Sequence, residues 1–370
     1  MSKARELAEL GAAYDSGALS NRNIIINGKF EIDQRHNFAA HTITAGSDFF
    51  ADRWGFYTDS GATAQYGATS QVVSDGPTGF EKSLKWTTTS AGTVPATSEV
   101  LFRQKIEGYN ISQVDYGSSS AKNLTLSFYV KSSIAGNYGF TAWHTDSGGT
   151  NRYNLRSYTI NSANTWEFKT ILIPADTANV MGRKTNLDGM NLNWDLGEGT
   201  TYSGSVTGNW QSTYVNGLTG GVKIADNNGA TWQITGVQLE LGTEATPFEH
   251  RSYADDLLSC QRYLYIITGD DDDMTGIMGY GESASAARFP LLYPVNMRTS
   301  PSFTLSGTCR AQGGTADGAN FTSGLAIVNA NTNHTGAALR VTGTSNLAND
   351  RGYNLQIKAD GTTLTFDAEL

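Results

Sequence analysis

The stretch that most constrains this chain runs over residues 231–251, TWQITGVQLELGTEATPFEHR. Trp232, Ile234, Val237 and Leu239 are apolar, with Gln233, Thr235, Gln238 and Glu240 between them. That period of two belongs to a strand with one face buried. The alternation slips by one at Gly236, which predicts a bulge there. Residues 240–248 then read as a turn closed by Pro247 and a buried Phe248. Sequence on either side shows strand signals before it and a helix signal after it. The stretch is therefore expected to be the closing strand of a β domain.

The rest of the chain agrees. Of its 370 residues only 16% are charged and 41 are glycine, a composition suited to many short strands and turns. Strand signals recur through residues 22–250, the longest being the alternating run at 124–130. About eight strands of this kind predict a two-sheet jelly-roll sandwich over residues 21–250. Leu7, Leu10 and Tyr14, with Ala4 and Ala8 beside them, have helical spacing and predict a short amphipathic helix. So short a helix needs something to pack on. Residues 1–20 are thus expected to form a docking helix and linker. A second helix is predicted over 251–265, with Ser252 and Asp255 as a capping box and Leu257 and Leu258 on its apolar stripe. From Ile266 the β pattern returns, predicting a smaller C-terminal sandwich over 266–370. The fold class is all-β.

Several segments resemble virion proteins of tailed bacteriophages, especially tail-fibre and adhesin-like proteins of marine phages. They are Asn21 to Gly28 (NRNIIING), Asp52-Arg53-Trp54, the WxITGVQLE run from Trp232, Ala245 to Glu249 (ATPFE) and Cys260 to Tyr263 (CQRY). They occur in the family's order over residues 1–265. The resemblance implies a jelly-roll like that of galactose-binding-type carbohydrate-binding modules. It implies a virion structural protein, with a tail fibre or receptor-binding protein attaching to host-surface glycans as the leading reading. A capsid head fibre or decoration protein is the alternative, and a surface-glycan depolymerase the third. The family background of trimeric fibres, with the two short helices, leads to the expectation of a homotrimer. Leu7, Leu10, Tyr14, Leu257 and Leu258 are its expected docking residues, toward other virion proteins or a second copy.

The chemistry of other classes is missing. The sequence holds no HExxH, GxSxG, phosphate loop or dinucleotide fingerprint. No repeat marks a β-helix of the depolymerase kind. A net charge of −9 with no Lys/Arg run argues against nucleic acid. No apolar run nears the ~18 residues of a membrane span. The expectation is a non-enzyme without metal or cofactor, made in the host cytoplasm and destined for the virion. Cys260 and Cys309 have no redox or zinc spacing and are expected to stay reduced. His36 and His41 read as solvated loop residues, and the four aspartates at 270–273 as a solvated turn.

Aromatic faces and amides remain as binding candidates, since a sugar ring offers C–H groups on its face and hydroxyls at its edge. Trp54, Trp86, Trp166 and Trp232 alternate with polar neighbours and are expected in the core. Trp143 with His144, and Trp210 with Tyr214, lie near Gly-rich turns and are the candidates of the first domain. In the second, Asn320, Asn329, Asn331, Asn333 and His334 cluster near turns.

Overall fold

The computed structural model describes Lys3 and residues 21–313, 318–328 and 334–370. The expected docking residues Leu7, Leu10 and Tyr14 lie outside the described residues, as do Asn329, Asn331 and Asn333. The chain forms two compact units, Met1–Tyr253 and Ala254–Leu370.

The first unit is a sandwich of two six-stranded antiparallel sheets. The first sheet orders His41–Thr42, Gly67–Val73, Ser83–Ser90, Thr231–Leu241, Leu124–Ser132 and Glu167–Ile173. The second orders Gly46–Phe49, Gly55–Thr58, Val100–Glu107, Asp188–Asp195, Gly136–Thr145 and Asn151–Ile160. Alternation directs one set of side chains from each sheet into a shared core. Trp54, Trp86, Trp194 and Trp232 are all fully buried there. Trp166 departs from expectation: it is half-buried, with the Lys131 ammonium 4.9 Å over its ring. It directly precedes the edge strand Glu167–Ile173, whose Glu167 pairs with Val130, and so lies beside Lys131 rather than in the core.

Thr231–Leu241 is indeed central, paired with Ser83–Ser90 on one side and Leu124–Ser132 on the other. Its register shifts between Thr235 and Gln238, and Gly236 there has φ +60°, so the bulge falls where the alternation slips. The bulge leaves main-chain groups that the NRNIIING segment takes up. Ile24 N–H donates to the Leu239 carbonyl (2.8 Å) and Val237 N–H to the Gly28 carbonyl (2.9 Å). The segment forms no strand of its own; it bends and turns over residues 26–28, with Asn27 at φ +56°, and side chains make much of the pairing. Glu249 accepts from Asn23 N–H (2.8 Å), and Gln238 accepts from Glu249 N–H (2.8 Å). Asn27 donates to the Ile32 and Asp52 carbonyls and accepts from Trp54 Nε1 through its own carbonyl. Four of the motif segments, Asn21 to Gly28, Asp52 to Trp54, the run from Trp232 and Ala245 to Glu249, thus meet in one clasp that joins the start and end of the sandwich, while Cys260 to Tyr263 belongs to the second unit.

The second unit packs a three-stranded sheet, ordered Leu264–Gly269, Thr362–Asp367 and Ser302–Ser306, against a seven-stranded one. The latter orders Gly318–Phe321, Cys309–Gln312, Gly352–Ile357, Met274–Ser283, Ala286–Leu292, Gly336–Thr342 and Leu325–Ile327. Phe289, Leu339, Leu355 and Phe366 are core residues of this β-sandwich. The second helix spans Tyr253–Gln261 and stops short of 265. Tyr263 N–H turns back onto the Cys260 carbonyl (2.9 Å), and Leu264 enters a strand opposite Asp367. Leu257 is half-buried and Leu258 is 43% exposed. No disulfide joins Cys260 and Cys309; both thiols are buried.

Candidate functional site

The second sheet of the first unit turns a polar face away from the core. Directly paired residues of antiparallel strands share a face. Phe102, Phe140, Leu192 and Trp194 point inward, so the residues between them point out. One outward row runs Arg103, Asn193, Thr141 and Leu155 across four strands. The next runs Lys105, Asn191, Trp143 and Tyr153.

Residues 197–218 lie against this face. Tyr153 exchanges both main-chain hydrogen bonds with Gln211 (2.8 and 2.9 Å). Asn193 donates to the Asn216 side chain (3.1 Å), Thr141 to its carbonyl (3.3 Å), and Leu218 N–H to Asp195 (2.9 Å). These bonds set Tyr214 beside the sheet, its ring 5.2 Å from Tyr153 and 5.0 Å from Tyr202. Trp143 lies 5.9 Å from Tyr153 on the other side. Its Nε1 is 3.1 Å from the Asn193 amide. The result is a half-open aromatic cluster, with Tyr214 41% exposed, set among amides.

Carboxylates lie beneath it. The Tyr214 hydroxyl donates to Glu99, and the Asn216 amide contacts both Glu99 (3.3 Å) and that hydroxyl (2.8 Å). Burial pushes Glu99 above the usual carboxylate range, and nearby Asp59 adds to it. Glu198 is fully buried, and neither of its oxygens meets a partner at hydrogen-bond geometry. Burial, then Asp195 and Glu99, raise it well above the ordinary value; the Val100 amide opposes them only in part. Asp195 is also raised by burial, although the amides of Gly197, Glu198 and Leu218 bond it. On the same sheet the Arg103 guanidinium lies 4.7 Å over the Tyr57 ring.

Of the four sequence candidates in this unit, the structure brings Trp143 and Tyr214 together, through Tyr153. His144 faces the other way. It is fully buried, 3.2 Å from Asp176 and 5.4 Å from the Tyr116 ring, and burial lowers its pKa. Trp210 packs 5.0 Å from His144 and donates Nε1 to the Pro174 carbonyl (2.9 Å). Both are local packing. Adjacent residues of one strand face opposite ways, so Trp143 and His144 could not share a surface. Sequence reasoning passed over Tyr153, Tyr202, Asn193 and Asn216. The run Asn191-Leu192-Asn193-Trp194-Asp195 carried a signal, since polar side chains, two amides and a carboxylate, occupy each outward position.

In the second unit Asn320 is exposed on an edge strand, and His334 accepts the Met297 N–H through its carbonyl (2.7 Å). The acidic turn at 270–273 is held by Lys358, which bonds Asp272 and lies 3.3 Å from Asp271. His36 and His41 lie 4.3 Å apart with tilted rings, both meet Phe50 edge-on, and they are not simply solvated. Among the described residues no cluster of His, Cys, Asp or Glu is arranged to hold a metal. No described helix is long and apolar enough to cross a membrane.

No protein-family model matches the chain, and no curated protein sequence does. Solved structures similar to it include the enzymatically active domain of tailspike protein 4 of bacteriophage CBA120. That match has 15% identity and TM-score 0.30, and covers 60% of this chain and 21% of that one. A CBM4 module is similar at 17% identity and TM-score 0.30, covering 58% of this chain and 98% of the module. TmCBM61, solved with β-1,4-galactotriose, is similar at 11% identity and TM-score 0.29, covering 60% of this chain and all (100%) of that one.

Proposed function

We propose that this protein is a non-catalytic glycan-binding component of a tailed-phage virion, acting as a tail fibre or receptor-binding protein. One observation carries the glycan-binding part. Trp143, Tyr153, Tyr202 and Tyr214 form an aromatic cluster bordered by the amides of Asn193 and Asn216 and the carboxylate of Glu99. Aromatic rings supply apolar area against the C–H face of a sugar, and amides bond hydroxyls at modest desolvation cost. The virion part rests on the sequence motifs. In this reading the chain works as a homotrimer seated on other virion proteins through Leu7, Leu10 and Tyr14. Exposed Leu258 is then available to a second copy.

A capsid head fibre or decoration protein is the second reading, and one observation favours it. The motif residues Asn23, Gly28, Gln238 and Glu249 are engaged in closing the sandwich, so the phage resemblance is carried by fold rather than by a receptor site. The test of the proposal is a glycan array probed with the intact protein. Retention of a defined set of surface glycans supports it; a blank array, together with labelling of capsid facets in virion images, turns the assignment to the second reading.

A further inference from the structure

The second unit holds an open depression of about 560 Å³ lined by Arg310, Gly318, Asn320, Thr344, Ser345 and Asn346, among others. It adjoins another of about 300 Å³, with which it shares Asn320, Gly343 and Thr344. Both volumes are of ligand-site size. Among the described residues neither lining contains an acidic side chain.

Arg310 stands out within this unit. Arg288 and Arg340 pair with Glu282, Arg298 bonds the Ala368 and Glu369 carbonyls, and Arg262 bonds that of Asn296. Arg351 is engaged as well. Arg310 has no hydrogen bond or ion pair among the described residues, and its Nε is buried without a partner. A charged guanidinium held half-buried without a counter-charge is unfavourable on its own. Gly318 contributes to the arrangement. A Cβ there would come 2.9 Å from Arg310 Nε, so glycine leaves room for the guanidinium against the strand.

We infer that this depression binds a carboxylated sugar, a uronic acid residue of an acidic polysaccharide. The planar guanidinium fork matches a carboxylate and gives two parallel, charge-assisted hydrogen bonds. The amides of Asn320 and Asn346 and the hydroxyls of Thr344 and Ser345 are suited to the ring hydroxyls. The site stands on its own residues and does not depend on the aromatic face of the first unit.

The test is calorimetric titration of the intact protein with trigalacturonate and trimannuronate, each beside its neutral, carboxyl-reduced counterpart. At least one acidic trisaccharide should bind about tenfold or more tightly than its neutral form. Arg310→Gln should erase that preference, and Ser345→Trp should block binding by filling the depression. With no side-chain partner for Arg310 among the described residues, Arg310→Gln should unfold at the wild-type temperature. Trp143→Ala/Tyr214→Ala should keep the acidic preference even if neutral glycans no longer bind. Three results would overturn the inference: no acidic preference, a preference unchanged in Arg310→Gln, or displacement of the sugar by equimolar inorganic sulfate, which marks a general anion site.

Discussion

The side chain of Asn23 and the main chain of Leu239, 216 residues apart, are joined by a hydrogen bond of 3.0 Å. The same Asn23 oxygen accepts from Ile25 N–H (3.0 Å), and its Nδ2 donates to the Val237 carbonyl (3.1 Å). All of these groups are buried, so each would be left unpaired without the amide. Asn23→Leu should therefore destabilise the first unit by roughly 3–5 kcal/mol. Differential scanning calorimetry should show its unfolding midpoint lowered by roughly 10 °C. An unchanged midpoint would mean that the clasp does not hold the sandwich closed.

Gly236 fills the bulge for two reasons that can be separated. Its φ of +60° disfavours any side chain, and a Cβ would lie 2.7 Å from the Phe80 ring. Gly220 has φ +74° but nothing within 4 Å of its Cβ position. Gly220→Ala should cost about 1 kcal/mol, from backbone conformation alone. Gly236→Ala should cost about 2–3 kcal/mol, the excess coming from Phe80. Urea denaturation of the two variants measures the difference. Equal costs would show that Phe80 moves aside freely.

Alternation made most of the fold legible. Trp232, Ile234, Val237 and Leu239 marked the central strand, and the slip at Gly236 marked its bulge, because both follow from local backbone geometry. The site was less legible. Trp143 and Tyr214 were identifiable as aromatics near turns, but Tyr153, which joins them, comes from the neighbouring strand. The loop that carries Tyr214 is placed by Asn193, Asn216 and Glu99, whose pairing spans more than a hundred residues in the last case. Nothing in local sequence reports such long-range bonds. His144 does not share the surface of Trp143, because a strand turns successive side chains to opposite faces.

Glu198 gives a prediction in pH. Its folded pKa lies well above the ordinary carboxylate value, chiefly through burial. The folded state therefore holds this proton more tightly than the unfolded chain does. The associated stability is complete below the unfolded value of about 4.3 and is lost as pH rises through the folded pKa. Glu198→Gln stays neutral throughout. It should match the wild type near pH 4 and become progressively the more stable protein toward pH 9. Thermal melts at three pH values test this. A variant equally destabilised at every pH would show that the carboxyl is needed for a contact, not merely tolerated.

The central claim is that the outer face of the second sheet, around Trp143 and Tyr214, binds glycan. The most direct measurement is titration calorimetry of the glycan that the intact protein retains, comparing wild type with Trp143→Ala and Tyr214→Ala. Each truncation removes a half-open aromatic face worth about 1–2 kcal/mol against a sugar, or roughly five- to thirtyfold in affinity. The account predicts weakening of that order in both variants, each folded at the titration temperature, with Tyr214→Ala melting somewhat lower because Glu99 and Asn216 lose the hydroxyl they contact. Wild-type affinity in both, with the protein folded, would contradict it.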